Sequence, residues 1–480
     1  MKILVNGRLV EVPAGTTVAA ALVIAGVAEF RCSVNGETRG PVCGMGICFE
    51  CRVTIDGRPH ERSCQTVCRE GMEIGTGAGM PAGMPAWPAK SRRYESFDVA
   101  VIGAGPAGLA AARRVRESGA SVALVDDNGA PGGQIWRGKQ VALPDGCKVL
   151  CGARVVAAPE PGRLTLEAPD SALDLGYRSL ILATGARECF LPFPGWTLPH
   201  VTGAGGLQAL VKSGMPIAGK RVVVAGSGPL LLAVAQYLRQ RGAQIALVAE
   251  QAGGAAVRRF GLALARHPGK LVQAARLRTG IRYLTGCWPV AAKPGAVVLR
   301  QGDRTWTEHC DYLACGFGLT PNAELPRLVG CGTEVDEFQQ TRMAGAYAAG
   351  EVTGIGGLDL ARVEGEIAGY AAVGRRDRAR RLFRTRARHR RFAAAMERTF
   401  ALREELKALA LEETLVCRCE DVTWGRVRGF AGWREAKLQT RCGMGACQGR
   451  VCGRALEFLK GWNAELARPP VFPARVGTLL

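Results

Sequence analysis

Phe97-Asp-Val-Ala-Val-Ile-Gly-Ala-Gly-Pro-Ala-Gly108 decides the fold, because a buried strand runs straight into three spaced glycines and an Ala-rich helix. In that order the glycines permit a tight turn, the approach of a pyrophosphate to the helix N-terminus, and close helix packing. The next strand, Val122-Ala-Leu-Val-Asp126, ends in an acid about twenty residues on, placed to bind a ribose hydroxyl. Glycines without this context are a weak signal; strand, turn, helix and acid together predict a dinucleotide-binding α/β domain.

The pattern restarts at Lys220. Arg221-Val-Val-Val-Ala225 leads into Gly226-Ser-Gly228-Pro-Leu-Leu231, with Leu231 at the third-glycine position, and Glu250 ends the following strand. An acid there suits NAD over NADP. Three readings stay open: a working NAD site, a fold that binds another adenine nucleotide without hydride transfer, and a degenerate fold kept for packing.

Toward the N-terminus, Ile3-Leu-Val5 and Leu9-Val-Glu-Val12 flank Asn6-Gly7, a hairpin signal, and Thr16-Thr17 precedes an Ala/Val-rich helix through Ala25. Cys43-Gly-Met-Gly-Ile-Cys48-Phe-Glu-Cys51 follows, with Cys64 beyond it. This is the plant-type ferredoxin spacing for a [2Fe–2S] cluster. One loop wraps the anionic cluster, and Gly44 and Gly46 let its backbone turn and aim N–H groups at sulfur. Zinc sites usually show paired C-x2-C knuckles, and only one C-x2-C exists here. Cys64 takes the fourth place, and Cys68, one helical turn beyond it, is the wrong choice. His60 is a lone surface residue.

Toward the C-terminus, Cys417-Arg-Cys419-Glu-Asp is followed by Cys442-Gly-Met-Gly-Ala-Cys447-Gln-Gly-Arg-Val-Cys452. Five cysteines compete for four places, and a zinc knuckle is the alternative.

The 480 residues allow three or four domains. MKILVNGRLV lacks an apolar core and a cleavage site, and no apolar run is long enough to span a bilayer. The expectation is a cytoplasmic protein, with a peripheral position on the inner membrane face left open. Without an export signal, the 18 cysteines point to metal sites rather than disulfides. The formal charge is +21, and much of it lies in the Arg-rich run from Arg375 to Arg398. A solvated helical linker accounts for that run, or a face for an acidic partner or anionic lipid. No motif accompanies it that would indicate nucleic acid.

Further pieces sharpen the central assignment: Gly132-Gly133-Gln134-Ile-Trp-Arg137, Leu182-Ala-Thr184-Gly185 and Ala349-Gly350-Glu351. With Gly103, Gly105, Gly108 and Asp126 they resemble the two-dinucleotide-domain flavoprotein disulfide reductases. That resemblance implies FAD, with an acid such as Glu351 near the ribityl chain. Those reductases use a redox C-x2-C beside a nucleotide fold, and this stretch has none, which argues against thiol–disulfide chemistry.

The C-terminal group resembles the [2Fe–2S] domain of bacterioferritin-associated ferredoxins. That resemblance implies Cys417, Cys419, Cys447 and Cys452 as ligands and Cys442 as the spare; on spacing alone Cys442 serves nearly as well. Taken whole, the chain resembles the α subunit of heteromeric dye-linked amino-acid dehydrogenases: opine oxidases, proline and D-hydroxyproline dehydrogenases, and hydrogen cyanide synthase. The stretches Pro131–Arg137 and Arg441–Arg450 carry the match, with the ferredoxin-like part fused at the N-terminus.

The fold expected is α/β: a two-dinucleotide-binding-domain flavoprotein with an N-terminal β-grasp ferredoxin-like domain and a small, helical C-terminal [2Fe–2S] domain. The division is 1–80 ferredoxin-like, 81–96 linker, 97–217 with 320–372 FAD-binding, and 218–319 NAD-type. After these come 373–404 as an Arg-rich helical linker, 405–465 as the second cluster domain and 466–480 as a tail. The family resemblance implies an oxidoreductase acting on CH–NH or CH–NH2 groups within a complex. It further implies FAD, two [2Fe–2S] clusters, a β subunit with an amino-acid-oxidase fold, and a respiratory electron acceptor. Glu250 motivates the alternative, an NAD(P)H-dependent acceptor reductase. No residue here marks a catalytic base.

Overall fold

The computed structural model describes residues 1–77, 91–169, 171–266, 268–463 and 467–479. Residues 81–90 of the expected linker therefore lie outside the described residues.

β1 (Lys2–Val5) and β2 (Arg8–Glu11) pair antiparallel about Asn6-Gly7. Both turn residues have positive φ (50° and 77°), which is what a two-residue hairpin turn of this twist demands. α1 (Val18–Ile24) buries Val18 to Leu22 against the sheet. β3 (Arg52–Ile55), β4 (Arg58–Arg62) and β5 (Glu73–Gly75) complete a mixed sheet of order β2-β1-β5-β3-β4. The cysteine loop 43–51 lies outside the strands.

The flavin-type fold starts earlier than its sequence signal. β6 runs from Ser91 to Ile102, so residues 91–96 are strand rather than linker. They pair in parallel with Ser171–Gly176 of β11 (Ser171–Leu182), whose continuous ladder no local pattern in 91–96 announces. α2 (Pro106–Glu117) follows the glycine turn, and β7 (Val122–Asp126), β8 (Lys148–Cys151), β9 (Arg154–Glu160) and β10 (Arg163–Glu167) build the sheet β8-β7-β6-β11-β10-β9.

The second nucleotide fold is a parallel sheet with β12 (Val201–Thr202) at its edge. Next come α3 (Ala204–Lys212), β13 (Arg221–Ser227), α4 (Leu230–Gln240), β14 (Gln244–Glu250), β15 (Tyr283–Thr285) and β16 (Tyr312–Phe317). The order is β12-β16-β13-β14-β15. Residues 188–217, assigned from sequence to the FAD domain, belong here, because Val201 and Thr202 pair with Leu313 and Ala314. β17 (Ala346–Ala348) returns to pair with Leu180–Leu182 of β11, and α5 (Leu358–Ala372) packs on α2.

The chain forms two compact units. One comprises Met1–Pro85, Glu188–Leu319 and Ala395–Ala464; the other Ala86–Arg187, Thr320–Ala394 and Glu465–Leu480. Both cysteine groups fall in the first unit and the FAD-type fold in the second. The Arg-rich run is not a free linker: α6 (Phe383–Thr399) is tied at Arg386 and Arg390 to groups of the FAD-type unit. No described helix is long and apolar enough to cross a membrane.

Candidate functional site

In the FAD-type unit, Gly103 sits at φ 107°, and a Cβ there would lie 2.2 Å from the Ala183 carbonyl of the crossover strand. A Cβ on Gly108 would strike the Gly103 carbonyl at 1.8 Å. These glycines let strand, turn and helix touch backbone to backbone. A Cβ on Gly105 would meet nothing within 4 Å, leaving open space at the α2 N-terminus where a pyrophosphate fits. Asp126 closes the turn by accepting the Ala104 N–H at 2.6 Å and the Asn128 N–H at 2.8 Å. Burial, then the neighbouring Asp127, raises its pKa to about 6. Gly132 donates to Ala104 O at 2.8 Å, and Gly133 comes so near that an added Cβ would be 3.1 Å from Gly105 Cα. Gln134 lies on this same loop.

Thr184 Oγ1 donates to Asn322 O at 2.7 Å, and Asn322 N donates to Gly185 O at 2.9 Å, joining the crossover to the returning chain. Gly350 packs on Ala107 and donates to Glu364 Oε2 at 3.2 Å, and burial raises the pKa of Glu351 beside it. Sequence reasoning missed Glu364. It is 2% exposed and takes two hydrogen bonds from Arg390 at 3.1 and 2.9 Å. Its signal was the Gly365/Gly369 spacing, which lets α5 meet α2 at the backbone of Ala107 and Ala111. The donor set, the turn and the open helix end fit FAD. The sequence-named residues of this fold gather at one end of the sheet.

In the N-terminal loop Cys43, Cys48, Cys51 and Cys64 are each no more than 2% exposed. Their thiols form two hydrogen-bonded pairs, Cys43 with Cys48 and Cys51 with Cys64. Met45 N and Cys48 N point at Cys43 Sγ, each at 3.4 Å. Burial pushes the Cys43 thiol up, but Cys48 and these N–H groups outweigh it and bring it down to about 6. Two thiol pairs, one for each iron, with backbone N–H groups on sulfur, fit a [2Fe–2S] cluster. Cys68 lies in the same buried core cluster as Cys51 and Cys64, its thiol raised to about 11 by burial.

The C-terminal group brings all five cysteines together. The sulfurs of Cys417, Cys442 and Cys452 lie within 4.8 Å of one another, and Cys419 hydrogen-bonds Cys447. Cys442, expected as the spare, thus sits with Cys417 rather than outside the group. It occupies a tight corner after Arg441, which is held at φ 66°.

At the second nucleotide fold, Gly226 repeats the close approach, with an added Cβ 1.8 Å from Gly316 O. Glu250 accepts the Gly228 and Ala252 N–H groups, both at 2.8 Å, and burial raises its pKa to about 7. Over this strand end runs the chain's own segment 400–403. Ser227 Oγ donates to Phe400 O at 2.8 Å, and Gln251 Nε2 donates to Ala401 O at 3.2 Å. Arg403 N donates back to Gln251 Oε1 at 3.2 Å. Neither Gln251 nor this segment carried a sequence signal. A cleft of about 760 Å³ lies alongside, lined among others by Thr285, Trp288, Arg300 and Arg403.

Residues 97–368 match the pyridine nucleotide-disulphide oxidoreductase family, and residues 1–79 the 2Fe-2S iron-sulfur cluster binding domain. An opine oxidase subunit of Rhizobium meliloti (strain 1021) is 30% identical over 448 residues, covering 79% of this chain and 98% of that one. Hydrogen cyanide synthase subunit HcnA of Pseudomonas aeruginosa is 45% identical over 76 residues, covering 16% of this chain and 73% of that one. The crystal structure of L-proline dehydrogenase from P. horikoshii shares the fold. Its TM-score is 0.69 at 19% identity, over 100% of this chain and 97% of that one.

Proposed function

The chain belongs to the pyridine nucleotide-disulphide oxidoreductase family and is a relative of the rhizobial opine oxidase subunit, and we propose that it is the electron-transfer subunit of a heteromeric dehydrogenase that oxidises amino acids or opines at the C–N bond. The observation that carries this reading is the pairing of an FAD-type fold with a [2Fe–2S] domain in a chain whose flavin lobe lacks a redox C-x2-C. Such a chain moves electrons without thiol exchange.

Gly103, Gly105, Gly108 and the α2 N-terminus would hold the FAD pyrophosphate, and Asp126 the ribose. Gly133, Gln134, Thr184, Gly185, Gly350 and Glu351 would line the flavin side. Bound FAD supplies a centre that takes an electron pair and releases single electrons. Cys43, Cys48, Cys51 and Cys64 would hold one cluster. Cys417, Cys419, Cys447 and Cys452 would hold a second, and the Cys419–Cys447 pair supports two of these four. The substrate-oxidising subunit is a partner with an amino-acid-oxidase fold, and the final acceptor is a respiratory quinone. Purified with that partner, the chain should reduce a dye on amino acids or opines; no dye reduction with any of them overturns the reading.

The rival reading, an NAD(P)H-dependent reductase, draws on Gly226, Gly228 and Glu250. Segment 400–403, hydrogen-bonded to Ser227 and Gln251 where a dinucleotide would lie, weighs against it. Two roles are left to this fold: an adenine nucleotide held in the adjoining cleft without hydride transfer, or packing alone. NADH added without air should leave the flavin oxidised.

A further inference from the structure

Glu50 lies between Cys48 and Cys51, and Arg418 lies between Cys417 and Cys419. Although 368 residues apart in sequence, they meet: Arg418 Nη2 donates to Glu50 Oε2 at 3.2 Å. Arg31 Nη2 donates to the other oxygen at 2.7 Å and reaches the Arg418 carbonyl at 3.4 Å. A second pair repeats the arrangement, with Arg39 Nη2 donating to Asp421 Oδ1 at 2.8 Å and Asn35 N to Oδ2 at 3.0 Å. Arg418 also donates to Trp196 O at 3.0 Å and lies over the Trp196 ring at 5.0 Å. Glu50, Arg39, Arg418 and Asp421 are only 1–4% exposed.

Stability alone does not account for such a network. Buried ion pairs of this kind are often matched or bettered by apolar residues of the same volume. Their place in the chain is specific: each of the central charges sits directly beside cysteines, one in each loop. Residues of both loops meet in one buried apolar cluster, which unites Cys43, Cys48 and Phe49 with Leu406, Cys447 and Val451.

We propose that the Glu50–Arg418 pair, braced by Arg31 and the Arg39–Asp421 pair, docks the two cysteine loops on one another so that the clusters they hold exchange electrons directly. This rests on the two-cluster reading above. The step is a single electron leaving one reduced cluster and entering the other, oxidised one; no bond forms and no proton moves. Glu50 and Arg418 are positioning residues. Each charge acts on both loops: a positive one favours an added electron and raises the potential, and a negative one lowers it.

The test uses the full chain with its clusters, reduced with dithionite, and reads the EPR signals together with iron and FAD content. The native protein should show two signals that broaden and relax together through magnetic coupling. Glu50→Gln, which keeps the shape and an acceptor oxygen, should retain iron and FAD, weaken that coupling and shift both potentials upward. Arg418→Met should abolish the coupling at four irons per chain and make both potentials more negative; if it fails to load iron, Glu50→Gln alone decides. Two uncoupled signals in the native protein, coupling unchanged in Glu50→Gln, or two irons per chain would overturn the proposal. Strong coupling with no dye reduction on any amino acid or opine would instead remove the dehydrogenase reading and leave the bridge standing.

Discussion

The two nucleotide folds carry nearly the same signature and end differently. In both, the first glycine has positive φ and lies where any Cβ would strike a crossover carbonyl: Ala183 O for Gly103, Gly316 O for Gly226. In both, the acid ending the second strand accepts an N–H of the turn, Asp126 from Ala104 and Glu250 from Gly228. What lies over the turn separates them. The first is met by Gly132 and Gly133, backbone without side chains, which leaves room for phosphate. The second is met by segment 400–403, gripped by Ser227 and Gln251. The glycine signature builds a turn, and whether that turn takes a ligand depends on what another part of the chain lays across it.

The largest effect expected from this contrast is at Gly103. Gly103→Val puts a Cβ 2.2 Å from the Ala183 carbonyl oxygen, so FAD content should drop more than tenfold, measured as flavin absorbance per chain. Native-like flavin content in that variant would mean that FAD does not sit on this turn. Next is the pair of acids. Asp126→Ala should cost about 1.5–3 kcal/mol of FAD binding, the usual value of a hydrogen bond to a charged group, read as a ten- to hundredfold rise in Kd. Glu250→Ala should leave flavin binding unchanged, and an equal loss in both would break the distinction between the folds. Loosening the second fold is a finer test. Ser227→Ala with Gln251→Ala should raise hydrogen exchange at residues 400–403, because four hydrogen bonds to that segment are removed.

The pH dependence sharpens the contrast further. Burial raises the folded-state pKa of Glu250 to about 7 and of Asp126 to about 6. Each folded carboxyl therefore keeps a proton that the unfolded one has lost, and stability falls as pH rises. The fall runs from about 4.5 to 7 for Glu250 and over the narrower range from about 3.8 to 6 for Asp126. For Glu250 it amounts to about 3 kcal/mol at most. Between pH 6 and 7, thermal unfolding of the chain should still drop in midpoint, because burial raises both Glu250 and Glu188 to about 7, and Glu250→Gln should reduce that drop without removing it. The smallest effect concerns the C-terminal ligands. If Cys447 and Cys452 complete the set, Cys442→Ser leaves iron content and EPR unchanged; loss of iron would move Cys442 into the set in place of Cys452.

Local chemistry made much of this molecule legible. The hairpin at Asn6-Gly7, both glycine turns, the acid-ended strands and both cysteine groups follow from residue types at short spacing. Such features depend on a few neighbouring dihedrals or on one loop wrapping one group. The spacing also pointed to Cys64 rather than Cys68 as the fourth thiol of the N-terminal group, and Cys64 is the one hydrogen-bonded to Cys51.

Only the tertiary structure decided the rest. Residues 91–96 became strand by pairing with 171–176, and 188–217 joined the second fold through Val201 and Thr202. The Arg-rich run, which reads as a solvated linker, is held by Arg390 on Glu364 and by Arg386 on Gln339. Glu50 and Arg418 look like spacer residues within two cysteine motifs, yet they are partners across the chain. Each of these contacts closes a long loop, and its partner is chosen by where whole sheets and helices come to rest. The sequence alone determined which groups this protein can hold; packing between distant segments decided which nucleotide turn stays open and how the cysteine loops face each other.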